Sequence, residues 1–133
     1  MAILSLVIIG QILLISAEEG NEITTPFFLA EEENEITITF GAYSPLCEKR
    51  RDCYVPDFLI IEQGSTVVWT NMDYSIHTVT SGNLWSGHNK LFGSMLLEKY
   101  DKFEFTFEDF EPATYTYYCI MHPWMKGSII VTG

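Results

Sequence analysis

The stretch Lys102-Phe103-Glu104-Phe105-Thr106-Phe107 alternates polar and apolar residues without a break. A period of two places every apolar side chain on one face of an extended chain, and a helix cannot present that pattern to a core. The same period returns in Glu35-Ile36-Thr37-Ile38-Thr39-Phe40 and in Thr66-Val67-Val68-Trp69-Thr70, where Val67 and Trp69 share a face. Residues 58–61, 76–80 (with His77), 92–97, 114–119 and 127–132 read as further short strands. In 114–119, Tyr115, Tyr117 and Cys119 fall on one face. Turn residues separate these runs: Glu62-Gln63-Gly64, a loop over 81–91 with Gly82 and Gly87, and 108–113 with Pro112. The residues between 41 and 56 read as a loop. No connection carries a helical period, which excludes a parallel sheet joined by helices. The expected fold is all-β: a Greek-key β-sandwich of seven or eight strands, without internal repeats.

Ahead of the first good strand the pattern is different. Residues 1–17 are almost wholly apolar and carry no charged side chain, and Glu18-Glu19-Gly20 follows abruptly. This reads as a signal peptide or an N-terminal anchor. Residues 18–34 are an acidic linker with no sustained period, including Glu31-Glu32-Glu33, and such a run is ordinarily solvated. Residues 35–133 are then the folded domain. Cleaved or tethered to a membrane, that domain is expected outside the cytoplasm, in a periplasm-like space or on the outer face of the cell membrane. The formal net charge of -11 argues against nucleic acid as a partner and favours a protein with a basic docking surface.

The chain has three cysteines, an odd count for an exported protein. Cys47 and Cys53 flank Glu48-Lys49-Arg50-Arg51-Asp52 and read as a structural disulfide rather than a second metal or redox site. Closing so short a loop contributes on the order of 2 kcal/mol in the chain-entropy picture. Cys119 is left over. It opens Cys119-Ile120-Met121-His122-Pro123-Trp124-Met125, which holds a thiol, an imidazole and a thioether with two residues between neighbours. A buried Cys or Met alone is ordinary core material; three soft or borderline ligands at this spacing point to copper. A second imidazole is available from His77, in Tyr74-Ser75-Ile76-His77-Thr78-Val79. Two His, one Cys and a long, weak axial Met are the donor set of a blue-copper site. Zinc sites rarely use a thioether. His88 has no partner spaced for it and reads as an exposed loop residue; Met72 and Met95 read as packing.

Cys119-x-x-His122-x-x-Met125, with His77 upstream in an Asn71-x-x-x-x-x-His77-x-Val79 setting, resembles the cupredoxins. The likeness is to the plastocyanin/amicyanin branch of type 1 blue copper proteins, including archaeal versions with a His-Pro-Trp-Met loop, and runs from Glu35 to Gly133. It implies one type 1 copper per chain, held by His77, Cys119, His122 and Met125, with His122 the exposed ligand that passes electrons. Two positions depart from the family pattern. Thr78 stands where many relatives have an Asn that ties the ligand loops together, and Asn71 is placed to brace the same loop. Met121 stands where amicyanin-like loops often have Pro, so its N–H is expected beside that of Thr78 as a second donor to the Cys119 sulfur. Met121, Pro123 and Trp124, with Leu84 or Trp85, are expected to form an apolar apron around His122.

Nothing in the chain suggests a catalytic nucleophile, a phosphate loop or an acid/base pair. The expected function is that of a monomeric type 1 copper electron-transfer protein, not an enzyme, shuttling one electron between redox partner proteins. The alternatives are a copper oxidoreductase acting on a small molecule at an open axial position, and a copper storage or delivery protein. The role of Met125 separates the electron carrier from the oxidoreductase.

Overall fold

In the computed structural model, residues 34–133 are described throughout. Of the first 33 residues, only three strands are described: β1 (Leu4–Ile9), β2 (Ile12–Ala17) and β3 (Phe27–Phe28), paired in the order β1-β2-β3. These belong to a separate compact unit, Met1–Glu33. The rest of the expected leader and linker lies outside the described residues. Among the described residues, no helix is long and apolar enough to cross a membrane.

The second unit, Asn34–Gly133, is the expected Greek-key β-sandwich. One sheet has the order β10-β7-β4-β5, built from β4 (Glu35–Ile38), β5 (Tyr54–Val55), β7 (Thr66–Asn71) and β10 (Lys102–Thr106). The other has the order β6-β12-β11-β8-β9, built from β6 (Phe58–Glu62), β8 (Thr80–Asn83), β9 (Gly87–Gly93), β11 (Ala113–Tyr118) and β12 (Lys126–Thr132). The period-two segments behave as their pattern requires. Ile36, Ile38, Val67 and Trp69 are fully buried, while Glu35, Thr66 and Glu104 face solvent. In register, Phe103 stands opposite Trp69 and Phe105 opposite Val67. Between the sheets these rings join an aromatic core in which Trp69 lies 5.5 Å from Tyr117 and Phe92 lies 5.4 Å from Phe107.

Three segments differ from the pattern-based reading. Residues 46–50 form one turn of helix, α1 (Leu46–Arg50), inside the expected loop; it ends at Arg51 in the left-handed region. The 81–91 segment is not a loop but most of the hairpin β8–β9. Gly82 makes the hairpin possible: its φ is +115°, and a Cβ there would overlap the Gly87 carbonyl. Small residues and a bulge between Thr80 and Gly82 hide the strand from a pattern search. Finally, His77 is not within a strand. It makes an isolated bridge to Leu97, with His77 N–H donating to Leu97 O (3.1 Å) and Leu97 N–H to His77 O (2.8 Å).

Strands β11 and β12 are also locked by a glycine. Tyr117 and Gly127 are cross-strand partners, and the Tyr117 ring lies flat over Gly127, where a Cβ would overlap Cζ and Oη. Tyr117 is 1% exposed and cannot swing away. Gly127→Ala is therefore expected to destabilise the domain by about 3 kcal/mol, an overpacking cost, seen as a lower denaturant midpoint at unchanged m-value.

Candidate metal centre

The sandwich delivers the candidate ligands from two connections at one end. Strand β11 stops at Tyr118 and β12 starts at Lys126, so residues 119–125 are the whole connection between two hydrogen-bonded neighbours. That loop closes on itself: Cys119 N–H donates to Met125 O (3.2 Å) and Met125 N–H to His122 O (2.9 Å). The other connection, 72–79, carries the chain from β7 in one sheet to β8 in the other, with His77 in it. Cys119 Sγ lies 3.8 Å from His77 Nδ1 and 3.7 Å from His122 Nδ1. All three donor atoms lie within 4.8 Å of one another, the one such cluster of His, Cys or acidic groups among the described residues. His77, Cys119 and Met125 are fully buried, and His122 is partly exposed.

Each donor is held by groups that do not face the centre. Thr78 N–H donates to Cys119 Sγ (3.3 Å), as expected. The tie between the ligand connections is also present: Ile120 N–H donates to Thr78 Oγ1 (3.0 Å), so Thr78 does the work of the family's Asn. Asn71 braces the His77 connection, donating from Nδ2 to Ser75 O (2.9 Å) and Leu97 O (2.8 Å) and accepting from Asp73 N–H (2.9 Å). The outer nitrogen of His77, Nε2, donates to Asp73 Oδ2 at 2.7 Å, with both side chains fully buried. This bond orients the ring so that Nδ1 faces Cys119 and His122. Asp73 also accepts from the backbone N–H groups of Gly41 (3.0 Å), Tyr43 (3.1 Å) and Tyr74 (2.9 Å).

The electrostatics follow from those contacts. Burial alone pushes the Cys119 thiol up; His77, the Thr78 N–H and His122 outweigh it and bring the pKa from 9.0 down to about 6. Burial likewise opposes charge on Asp73, but His77 and the three backbone donors hold its carboxyl below the usual range. Burial disfavours the charged His77 ring, and Cys119 and Asp73 together still move its pKa up. A thiolate is thus available at neutral pH, and the thiolate is the metal-binding form. Soft sulfur and two imidazoles facing one another in a buried site fit copper.

The lowered thiol gives a testable pH dependence. Its folded-state pKa lies below the unfolded one, so its contribution to stability is fully present above about pH 9 and is lost as pH falls through about 6. In metal-free protein, the stability difference between the wild-type chain and Cys119→Ala is expected to shift in favour of wild type as pH rises from 6 to 9. A difference that stays constant over that range contradicts the depressed thiol.

The sequence-based site is therefore brought together in its three strongest donors, with Met125 buried at the end of the same loop. Several neighbours fall elsewhere. Met121 N–H makes no bond to the Cys119 sulfur; the further backbone help to the thiolate comes from His122. Of the expected apron, Trp124 packs 5.3 Å from the His122 ring and Met121 is exposed beside it. Leu84 and Trp85 sit at the tip of the β8–β9 hairpin, beyond Gly82, which bonds Thr116 three residues before Cys119. Met95 is 84% exposed and Met72 is also exposed, so neither belongs to the buried core. His88 is exposed on β9 and outside the donor cluster, its Nδ1 bonded to Ser81 O at 2.9 Å. The Cys47–Cys53 disulfide is present, with Cα atoms 4.9 Å apart. Asp73 was not anticipated. Its one sequence signal is an acid four residues before the ligand His.

Comparison with known proteins agrees with this geometry. Residues 48–132 match the family described as copper binding proteins, plastocyanin/azurin family. A plastocyanin from Synechococcus sp. (strain JA-2-3B'a(2-13)) is 34% identical over 93 residues, 65% of this chain and 68% of the relative. An amicyanin from Paracoccus versutus is 32% identical over 78 residues, 59% of this chain and 57% of the relative. Among solved structures, a purple cupredoxin from Nitrosopumilus maritimus superposes with a TM-score of 0.66 at 36% identity, covering 75% of this chain and all of the other.

Proposed function

This chain belongs to the plastocyanin/azurin family of copper-binding proteins, and we propose that it is a one-electron carrier whose copper ligands are His77, Cys119, His122 and Met125. The observation that carries this reading is the pre-fixed donor set. Three donor atoms lie within 4.8 Å of one another, and each is held from outside by hydrogen bonds or by the loop's own closure. Copper bound among them supplies exchange of a single electron between Cu(II) and Cu(I). A ligand set that cannot relax far in either state needs little rearrangement when the electron moves.

Carriage rather than turnover is supported by the burial of His77, Cys119 and Met125, three of the four ligands. Two surface cavities, of about 290 and 240 Å³, are lined by other residues, and none of the four ligands borders either one. His122 is the partly exposed ligand, flanked by the ring of Trp124 and by exposed Ile120 and Met121. An electron would leave through this edge, and a small apolar contact there suits brief docking.

The charges suggest how a partner is met. Near the ligand loop, Lys126 pairs with Glu48 and Arg51 with Asp57. At the opposite pole the turn after β6 and the β10–β11 connection meet, with Gly64 N–H bonded to Phe107 O, and Glu62, Glu108, Asp109 and Glu111 are exposed there. A partner with a basic surface would be drawn to the chain by its net charge of -11 and would touch the apolar rim of His122 at short range. A location outside the cytoplasm is supported by the Cys47–Cys53 disulfide.

The test is the visible and spin-resonance spectrum of the copper-loaded chain. An intense thiolate-to-copper absorption that bleaches on reduction, returns on oxidation and is indifferent to azide is the expected result. A colourless Cu(II) complex, or azide binding with turnover of a small molecule, would overturn the carrier reading.

A further inference from the structure

The segment from Gly41 to Cys53 touches both connections that supply the copper ligands. On one side, Gly41 N–H and Tyr43 N–H donate to the Asp73 carboxylate, which holds His77 Nε2. On the other side, the carbonyl between them, Ala42 O, accepts from Trp124 Nε1 (3.2 Å), within the Cys119–Met125 loop. Ala42 is fully buried and its carbonyl lies 3.5 Å from Cys47 Sγ, so the disulfide sits directly behind this junction. The cross-link anchors the segment's far end, where Cys53 O accepts from Thr39 N–H. The next residue, Tyr54, reaches from there to Thr78 O (2.8 Å), beside His77.

We propose that Gly41–Cys53, anchored at its far end by the Cys47–Cys53 disulfide, is a strap that positions both ligand connections and thereby sets the redox equilibrium of the copper. The proposal rests on the copper reading above. The cross-link closes residues 47–53 and packs on the Ala42 carbonyl, and the turn bonds Ser44 N–H to Gly41 O and Cys47 N–H to Ser44 O carry its constraint back to Gly41, Ala42 and Tyr43, which present two donors and one acceptor. Those bonds keep the carboxylate against His77 and keep Trp124 on the loop that bears His122. The Asp73–His77 bond places negative charge behind a ligand and so favours the more positive copper state. With the strap open, that bond and the Trp124 contact loosen together, and the equilibrium moves toward Cu(I).

The experiment compares the full-length wild-type chain with Cys47→Ser/Cys53→Ser, with Trp124→Phe, and with all three changes. In metal-free protein, hydrogen exchange of the Trp124 indole N–H and of the Gly41 and Tyr43 amides is expected to speed up tenfold or more without the disulfide. The Trp69 and Ile129 amides in the core strands should keep their protection. In copper-loaded protein, the disulfide-free variant should favour Cu(I) at least threefold more than wild type. Trp124→Phe, which keeps the ring but loses the donor, should shift the same way, and adding it to the disulfide-free variant should add little. An unchanged copper equilibrium with only a lower melting temperature makes the disulfide a plain stabiliser and overturns the proposal. So does unchanged exchange at Trp124. If the disulfide-free chain does not fold, Trp124→Phe alone decides, and no shift in that variant overturns the strap. Absence of the thiolate-to-copper absorption in the wild type would instead refute the copper reading, while the metal-free exchange data would still test the strap.

Discussion

Replacing Cys119 with Ser is expected to abolish the intense visible absorption and to weaken Cu(I) binding by more than about a hundredfold, beyond the range seen when only the partner of a ligand is lost. The size of the effect comes from charge and softness together. The Cys119 thiol is brought to about 6 by His77, Thr78 N–H and His122, so at neutral pH the site holds an anion. A serine hydroxyl in the same position stays neutral and hard, and Cu(I) prefers sulfur. The fold should survive, because the loop is closed by backbone bonds from Cys119 N–H to Met125 O and from Met125 N–H to His122 O, which do not use the thiol. Competition with a Cu(I) chelator, alongside a circular dichroism spectrum matching wild type, measures the loss. A Ser variant that keeps both colour and affinity would mean that Cys119 is not a ligand.

The ligand loop was legible because its information is local. Three ligand types at equal gaps after an alternating strand need no tertiary knowledge to be recognised, and the donors from Cys119 and His122 do meet. His77 was legible by elimination and resemblance, since few imidazoles were available, and it does meet Cys119. The alternating strands were equally plain: Ile36, Val67 and Trp69 are buried where a period of two puts them.

What escaped reading was set by contacts distant in sequence. The β8–β9 hairpin depends on Gly82 at positive φ and on a bulge, and Ser81 and Gly82 do not look like strand residues. The helix α1 is a single turn, too short for periodicity to report, and it is held by the disulfide and a left-handed Arg51. The proposed Met121 donor failed because a missing proline frees an N–H without aiming it. The place of the Leu84–Trp85 tip follows from the same hairpin, whose strands carry no alternating pattern. Asp73 was one acid among eighteen, and its burial is decided by Gly41 and Tyr43, some thirty residues earlier.

Asp73→Ala is accordingly expected to have the largest effect on stability, about 3–5 kcal/mol, the range for breaking a buried pair by removing one partner. The change leaves His77 Nε2–H without its acceptor and takes one from the N–H groups of Gly41, Tyr43 and Tyr74, in a site with little access to water. Asp73→Asn separates scaffold from charge. The amide keeps an acceptor oxygen of nearly the same shape, so much of the stability should return, although its NH₂ side then faces a donor. The negative charge does not return, and with it goes the preference for the more positive copper state. Both variants should therefore shift the copper equilibrium toward Cu(I), while only Ala loses the full folding energy. The carboxyl is held below the usual carboxylate range in the folded chain, so its contribution is present above the unfolded value and is lost as acid takes the pH through the folded one. The acid limb of metal-free unfolding should accordingly flatten in Asp73→Asn. Denaturant midpoints at several pH values, with redox titrations of the copper forms, measure both effects. An Asn variant with wild-type redox equilibrium would show that Asp73 acts on His77 through geometry alone.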